Sequence, residues 1–333
     1  MSESHIVCAV CSQSFTKNNG PHFEVIIPLY FSENHLMSVG DYVTQLNDLI
    51  PGGIAVTFVV DGRNEDYIRA LELQNTLNLR AKTIKLSRNF GVGPAIHSAL
   101  ASSSYCISTA LGSDLQEPME LFVEFFQVMS MGKGDLVLGY RTKRSDPFLS
   151  KKLAEIYWWV NRKFIYPSSP PNGFDVFAMN KKVRQEFSNL RELNTNFTSQ
   201  LLWIGFDPIW IGFERASRKI GKSTWSHRRK FKLFADSLYG YTSKPISFIT
   251  NLGFASSVVF LLIGFFTLLG KLFNRIDVPG YVMTVLLICI GQSILLFSIG
   301  VIGGYVSRAF ENGTNRPHYV IAEKIENGHS IDE

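Results

Sequence analysis

The chain has 333 residues, 46% of them hydrophobic, and a formal net charge of +5. The length allows one large soluble core. The charge is modest and its basic residues crowd ahead of an apolar C-terminal region, which argues against nucleic acid as a partner and for anionic membrane lipids.

Residues 1–22 read as a polar N-terminal extension without the pattern of a signal peptide. They hold Cys8 and Cys11, a lone C-x-x-C with no second pair to suggest a metal site. A βα alternation follows. Phe23–Leu29 is an apolar strand containing Pro28. Leu36, Val39, Val43, Leu46 and Ile50 then recur at helical spacing until Pro51-Gly52-Gly53 breaks the pattern. Ile54–Val60 is a second strand ending at Asp61-Gly62, and a polar helix runs on towards Leu79. Thr83–Leu86, Tyr105–Leu111 and Asp135–Tyr140 are further strands, with helices over Gly93–Ser103 and Met119–Met131 between them.

Such repeats predict an α/β fold with a doubly wound, mostly parallel sheet. Ligands of such sheets sit beyond the carboxyl ends of the strands. That rule selects Pro28–Glu33, Asp61–Arg63, Ser87–Asn89 and Gly112–Glu117. Beyond Arg141 the pattern loosens into an aromatic-rich helix at about Leu149–Phe164, a strand at Phe174–Met179, a helix at Asn180–Leu190 and a strand at Pro208–Phe213.

From Arg228 to Tyr241, cations mix with Phe231, Leu233, Phe234, Leu238 and Tyr239, which fits an amphipathic helix in the membrane interface. Ile246–Gly270 and Val278–Ser307 contain no Asp, Glu, Lys, Arg or His. Each is long enough to cross a hydrocarbon core of ~30 Å as a helix. Lys222, Arg228, Arg229, Lys230 and Lys232 precede the first stretch, and Arg308 and Arg316 follow the second. The positive-inside rule therefore predicts an inner-membrane hairpin with the large domain and both termini cytoplasmic. Asn251 and Gln292 are expected at helix–helix contacts. The domains expected are a 1–22 extension, a 23–226 catalytic domain, a 227–245 interfacial helix, a 246–307 two-helix hairpin and a 308–333 tail.

The strand-end motifs resemble those of family 2 glycosyltransferases of the GT-A fold, and more narrowly the polyprenyl-phosphate glycosyltransferases. Val25-Ile26-Ile27-Pro28-Leu29-Tyr30 with Glu33 resembles V-x-P-x-Y-N-E, and Phe58-Val59-Val60-Asp61-Gly62 resembles F-V-D-D-G-S. Leu86-Ser87-Arg88-Asn89-Phe90-Gly91 matches L-S-R-N-F-G, and Asp114-Leu115-Gln116-Glu117-Pro118 resembles D-L-Q-D-P. Gly139-Tyr140-Arg141, Arg218 with Gly221-Lys222-Ser223, and Arg316-Pro317 with Tyr319 resemble three later motifs. Three positions depart from the family pattern: Val60 and Gly112 stand where it has aspartates, and Phe31 where it has asparagine.

The resemblance implies transfer of a sugar from a nucleoside diphosphate, with uridine the default base, to a polyprenyl phosphate such as the undecaprenyl or dolichyl form. It implies Mg²⁺ or Mn²⁺ held by Asp114 and Gln116, whose alternation on an extended segment would aim both one way. Capping of the following helix is the structural alternative for Asp114. Pro28, Tyr30, Glu33 and Asp61 would line base and ribose, Asp61 accepting from a base imide or serving as a turn residue. Arg88 and Asn89 would reach ribose or diphosphate. Arg141 and Arg144 would seat the acceptor phosphate, Asp175 would act as general base or orienter, and Arg218 and Lys222 would reach a phosphate. The same resemblance implies a homo-oligomer, expected as a tetramer. Gly112 and Val60 keep open a second reading, a catalytically impaired membrane scaffold.

Overall fold

The computed structural model describes residues 21–32, 36–142, 173–190, 197–216, 244–272, 280–314, 316–326 and 329–330, with scattered positions between 155 and 170. Glu33, Arg144, Arg218, Lys222, the Cys8/Cys11 pair and the interfacial stretch as far as residue 243 lie outside them.

The chain divides into two units, Met1–Ser226 with Pro317–Glu333, and His227–Arg316. In the first, the expected alternation is present: β1 (Phe23–Leu29), α1 (Leu36–Leu49), β2 (Ile54–Val60), α2 (Asn64–Thr76), β3 (Arg80–Leu86), α3 (Val92–Ala101), β4 (Ile107–Ala110), α4 (Met119–Ser130) and β5 (Leu136–Arg141). After these come β6 (Phe174–Asn180), α5 (Lys181–Ser188), α6 (Phe197–Trp203) and β7 (Ile209–Phe213). The second unit holds α7 (Lys244–Leu272) and α8 (Tyr281–Gly313), and the chain then forms β8 (Ile321–Glu326) and β9 (His329–Ser330).

Among the described residues one sheet runs β7-β5-β6-β4-β1-β2-β3-β8-β9. Its centre, β4-β1-β2-β3, is parallel. β6 enters antiparallel between β4 and β5, and β7 lies parallel to β5. Every residue of β2 is buried, as a central strand covered on both faces requires. The pleat sends Phe23, Val25, Ile27 and Leu29 of β1 to the core under α1 and α4, and Ile26 to the opposite core with α3 and Phe187 of α5. Glu24 is fully buried. Its two carboxylate oxygens accept from Thr57 Oγ1 at 2.6 Å and Ser108 Oγ at 2.9 Å, which satisfies the buried carboxylate.

The expected 308–333 tail is corrected here. β8 pairs antiparallel with β3, Lys82 opposite Glu326 and Leu86 opposite Ile321. Ser87 N–H donates to Val320 C=O at 2.9 Å, and Lys85 Nζ meets Glu323 at 3.0 Å. Pairing hides the edge that β3 would otherwise expose.

In the second unit, α7 spans 29 residues and α8 spans 33. Among the described residues one segment, Ile290–Gly313, has the length and apolarity to cross a membrane, with mean hydropathy 1.6. Thr250, Ser256 and Ser298 turn their hydroxyls back to carbonyls of their own helix, which satisfies donors that hydrocarbon could not. Asn251 and Gln292 are exposed.

Candidate active site at the sheet switch point

β1 is followed on one side by β2 and on the other by β4, so strand order reverses between β1 and β4. A crevice opens beyond the carboxyl ends of two such strands. Ser32, just past β1, and Ser113, just past β4, join their hydroxyls across it at 3.2 Å.

The β4 end does not continue as an extended segment. Leu115 N–H donates to Gly112 C=O at 3.0 Å, and Leu115 is left-handed, with φ 48°. The expected alternation of Asp114 and Gln116 is thus replaced by a tight turn. The segment is fixed from both sides. Gln116 Nε2 donates to Ala216 C=O at 2.9 Å, and Ala216 N–H returns a bond to Gln116 C=O at 2.9 Å. Tyr42 of α1 donates its hydroxyl to Glu117 C=O at 2.9 Å.

Asp114, Arg141 and Asp175 are brought together, and the residue that links them is Arg215. Its guanidinium lies 3.8 Å from Asp114, 3.3 Å from Glu117 and 3.4 Å from Asp175. Asp175 also pairs with Arg141 through both Nε and Nη2. Three carboxylates therefore face two guanidinium groups, an excess of one negative charge when all are ionised. Glu117 is 5% exposed. Burial, reinforced by Asp175 and Asp114 and opposed by Arg215, pushes its carboxyl up to about 7.

Arg215 carries no motif of its own. A signal for it existed: β7 is parallel to β5, so the residues just after Phe213 fall under the same strand-end rule that selected the first four loops.

The side of the crevice beside β1 and α2 is aromatic. Phe31 is 63% exposed and left-handed at φ 53°. Asp66 at the start of α2 holds that turn by accepting from the backbone N–H of Phe31 at 2.9 Å and of Ser32 at 3.0 Å. Arg63 lies 3.7 Å over the Phe31 ring, and Tyr30, 46% exposed, meets it edge-on at 4.7 Å. Pro28 sits one residue inside β1, half-buried. Arg88 and Asn89 are exposed on the β3–α3 loop, with Arg88 stacked 4.0 Å over Phe90.

Asp61 has a structural task beside the roles the sequence suggests. Its two oxygens accept from the backbone N–H of Phe90 at 2.7 Å and of Gly91 at 2.8 Å. It pins the β3–α3 loop from a position 4% exposed. Beside it, a Cβ on Gly62 would overlap the Arg88 backbone, so the two loops meet only because residue 62 is glycine.

Among the described residues no three His, Cys, Asp or Glu side chains are grouped to hold a metal. A hard divalent cation takes one or two protein oxygens and completes its shell with phosphate and water. Asp114 with the amide oxygen of Gln116 is a donor set of that kind.

The chain is 26% identical over 308 residues to the uncharacterized glycosyltransferase YkcC of Bacillus subtilis (strain 168), across 92% of this chain and 95% of the relative. It is also 26% identical over 301 residues to the SfII prophage-derived bactoprenol glucosyl transferase of Shigella flexneri, across 89% and 96%. No protein-family model matches. A solved structure of glucosyl-3-phosphoglycerate synthase from Mycobacterium tuberculosis with Mn²⁺, UDP and glucosyl-3-phosphoglycerate is 20% identical, across 62% of this chain and 75% of that one, at a TM-score of 0.42. A likeness at that level carries no argument about this chain. The full-length relatives do: the chain is a glycosyltransferase. The motifs already placed at its strand ends are similar to those of the family 2 enzymes of the polyprenyl-phosphate sugar transferase group, in keeping with these relatives.

Proposed function

We propose that this enzyme is inverting and metal-dependent, and that it moves a sugar from a nucleoside diphosphate, with UDP the expected carrier, onto a polyprenyl phosphate at the cytoplasmic face of a membrane. The observation that carries this reading is the gathering of Asp114, Arg141, Asp175 and Arg215 at one strand-end crevice. Anionic substrates on both sides of a transferred sugar need cations placed before the reaction begins.

A phosphate-monoester oxygen attacks the anomeric carbon, the bond from that carbon to the diphosphate oxygen breaks, and the nucleoside diphosphate leaves with the electron pair. The acceptor needs little help in losing a proton, because a phosphate monoester has its second pKa at about 6. Asp175, engaged by both Arg141 and Arg215, suits orienting the two arginines better than taking a proton. Arg141 offers a planar fork to the acceptor phosphate. Asp114 and Gln116 would hold the Mg²⁺ or Mn²⁺, which when bound neutralises charge building on the departing diphosphate. Tyr30 and Phe31 offer ring faces to a base. Arg144, Arg218 and Lys222 keep their proposed phosphate roles on the motif resemblance alone.

Two features support the membrane part. At ~1.5 Å per residue, α7 and α8 each exceed the ~30 Å of a hydrocarbon core. The chain leaves the α/β unit after Ser226 and rejoins it at Pro317. A segment whose two ends belong to one folded unit crosses a bilayer an even number of times.

The test is transfer of labelled sugar from a panel of UDP- and GDP-sugars to a polyprenyl phosphate by the full chain in detergent, read after organic extraction. Label is expected in the lipid phase from a UDP-sugar, lost with EDTA and restored by Mg²⁺ or Mn²⁺. No transfer from any donor would overturn the reading, and transfer unchanged by EDTA would overturn its metal part.

A further inference from the structure

We propose that Glu117 is a third protein ligand of the divalent cation, supplying from further along the turn the carboxylate that Gly112 cannot. This rests on the metal-dependent reading above and adds a residue to it.

The argument begins with space. A Cβ built on Gly112 would lie 2.7 Å from Asp114 Oδ1 and 3.4 Å from Glu117 Oε2. Two carboxylate oxygens from different residues thus converge on the volume that a side chain at 112 would fill. The second observation concerns Glu117 itself. The residue is 5% exposed, and its Oε2 is buried with no hydrogen-bond partner among the described residues. An orphaned carboxylate oxygen in the interior is costly, and native structures rarely leave one without a purpose. Its twin, Oε1, is within 3.3 Å of Arg215, so the side chain is held while the orphan oxygen faces the crevice turn.

The third observation is the occupant. Arg215 places one cationic group against Asp114 and Glu117 together. Two acids drawn around one cation form a place where a smaller, doubly charged ion is favoured. Hard oxygen donors from Asp114, Gln116 and Glu117 would still leave positions for diphosphate and water on an octahedral ion. The bond from the Tyr42 hydroxyl to Glu117 C=O and the double clamp of Gln116 on Ala216 fix the turn, so that these donors are set before the ion arrives.

The test reads Mn²⁺ binding directly, by electron paramagnetic resonance of free Mn²⁺ titrated with the full chain in detergent, with and without UDP. Glu117→Gln keeps the shape and removes the charge. It should weaken Mn²⁺ at least tenfold, within the range of roughly 10- to 100-fold that loss of a supporting group at a metal site costs. Adding Gly112→Asp to that variant returns a carboxylate to the same volume once the Asp114 side chain gives way, and should restore affinity to within about threefold of wild type. Unchanged Mn²⁺ affinity in Glu117→Gln, alongside loss in Asp114→Ala, would overturn this assignment and leave the metal-dependent reading standing. Absence of Mn²⁺ binding by the wild-type chain would overturn both.

Discussion

Asp61 shows how one side chain at a strand end can carry a structural task that its motif does not announce. The rule that ligands gather at carboxyl ends of parallel strands finds it, and so does its motif, yet its oxygens are taken by Phe90 and Gly91 N–H groups. Hydrogen bonds to a charged acceptor contribute about 1.5–3 kcal/mol each. Asp61→Ala should therefore loosen the β3–α3 loop by about 3 kcal/mol, seen as roughly 100-fold faster amide exchange at Phe90 and Gly91. Unchanged exchange with lost nucleotide affinity would return Asp61 to the base-binding role. Asp114, Arg141 and Asp175, which the structure brings together, were marked in the sequence by the motifs and positions they resemble. Arg215 was not, because its importance lies in three acids contributed by β6 and the turn after β4, which no local pattern brings next to Phe213. Glu117 was visible only as a motif letter. Its meaning depends on the empty space at Gly112, a property of the folded turn.

At the scale of elements, the central strands were legible from β-branched apolar runs bounded by Gly and Pro, and the helices from their spacing. β1, α1, β2, α3, α4 and β5 lie within three residues of where the periodicity puts them. The antiparallel entry of β6 between β4 and β5 was not, because strand order depends on long-range pairing that periodicity does not encode. The larger miss is β8. Its partner β3 lies more than 200 residues earlier, so nothing local marks Ile321–Glu326 as a sheet edge. Besides the Lys85–Glu323 pair, two further interactions fix it there beyond the ladder: Tyr67 donates its hydroxyl to Glu323 at 2.7 Å, and His97 of α3 stacks on His318 at 5.4 Å between rings. Burial and the Glu323 carboxylate together push the Tyr67 hydroxyl up to about 12. A chain ending at Arg316 would expose the β3 edge and part of the core beside Ile321 and Ile325. Its α/β unit should melt about 5–10 °C lower by circular dichroism, as loss of a few kcal/mol in a unit of this size implies. An unchanged melting temperature would show that β8 contributes nothing to that unit.

For the whole molecule, the informative fact is connectivity. One folded α/β unit is interrupted by a helical insertion and completed after it. The two uncharged stretches stand out in the sequence by composition, and among the described residues one segment of the second unit, Ile290–Gly313, has the length and apolarity to cross a membrane. That the chain returns from them to finish a sheet was legible only in the register of β3 with β8. The proposed function assigns phosphate binding to the strand-end crevice and a bilayer to the helical segment, and so makes the acceptor's phosphate the group recognised. The most direct measurement compares labelled sugar transfer to a polyprenyl phosphate and to the matching polyprenol, by the wild-type full chain and by Asp114→Asn. The account predicts product only from the phosphate, and a drop of about 100-fold or more in the variant. Transfer to the polyprenol at a comparable rate, or an Asp114→Asn variant as fast as wild type, would contradict it.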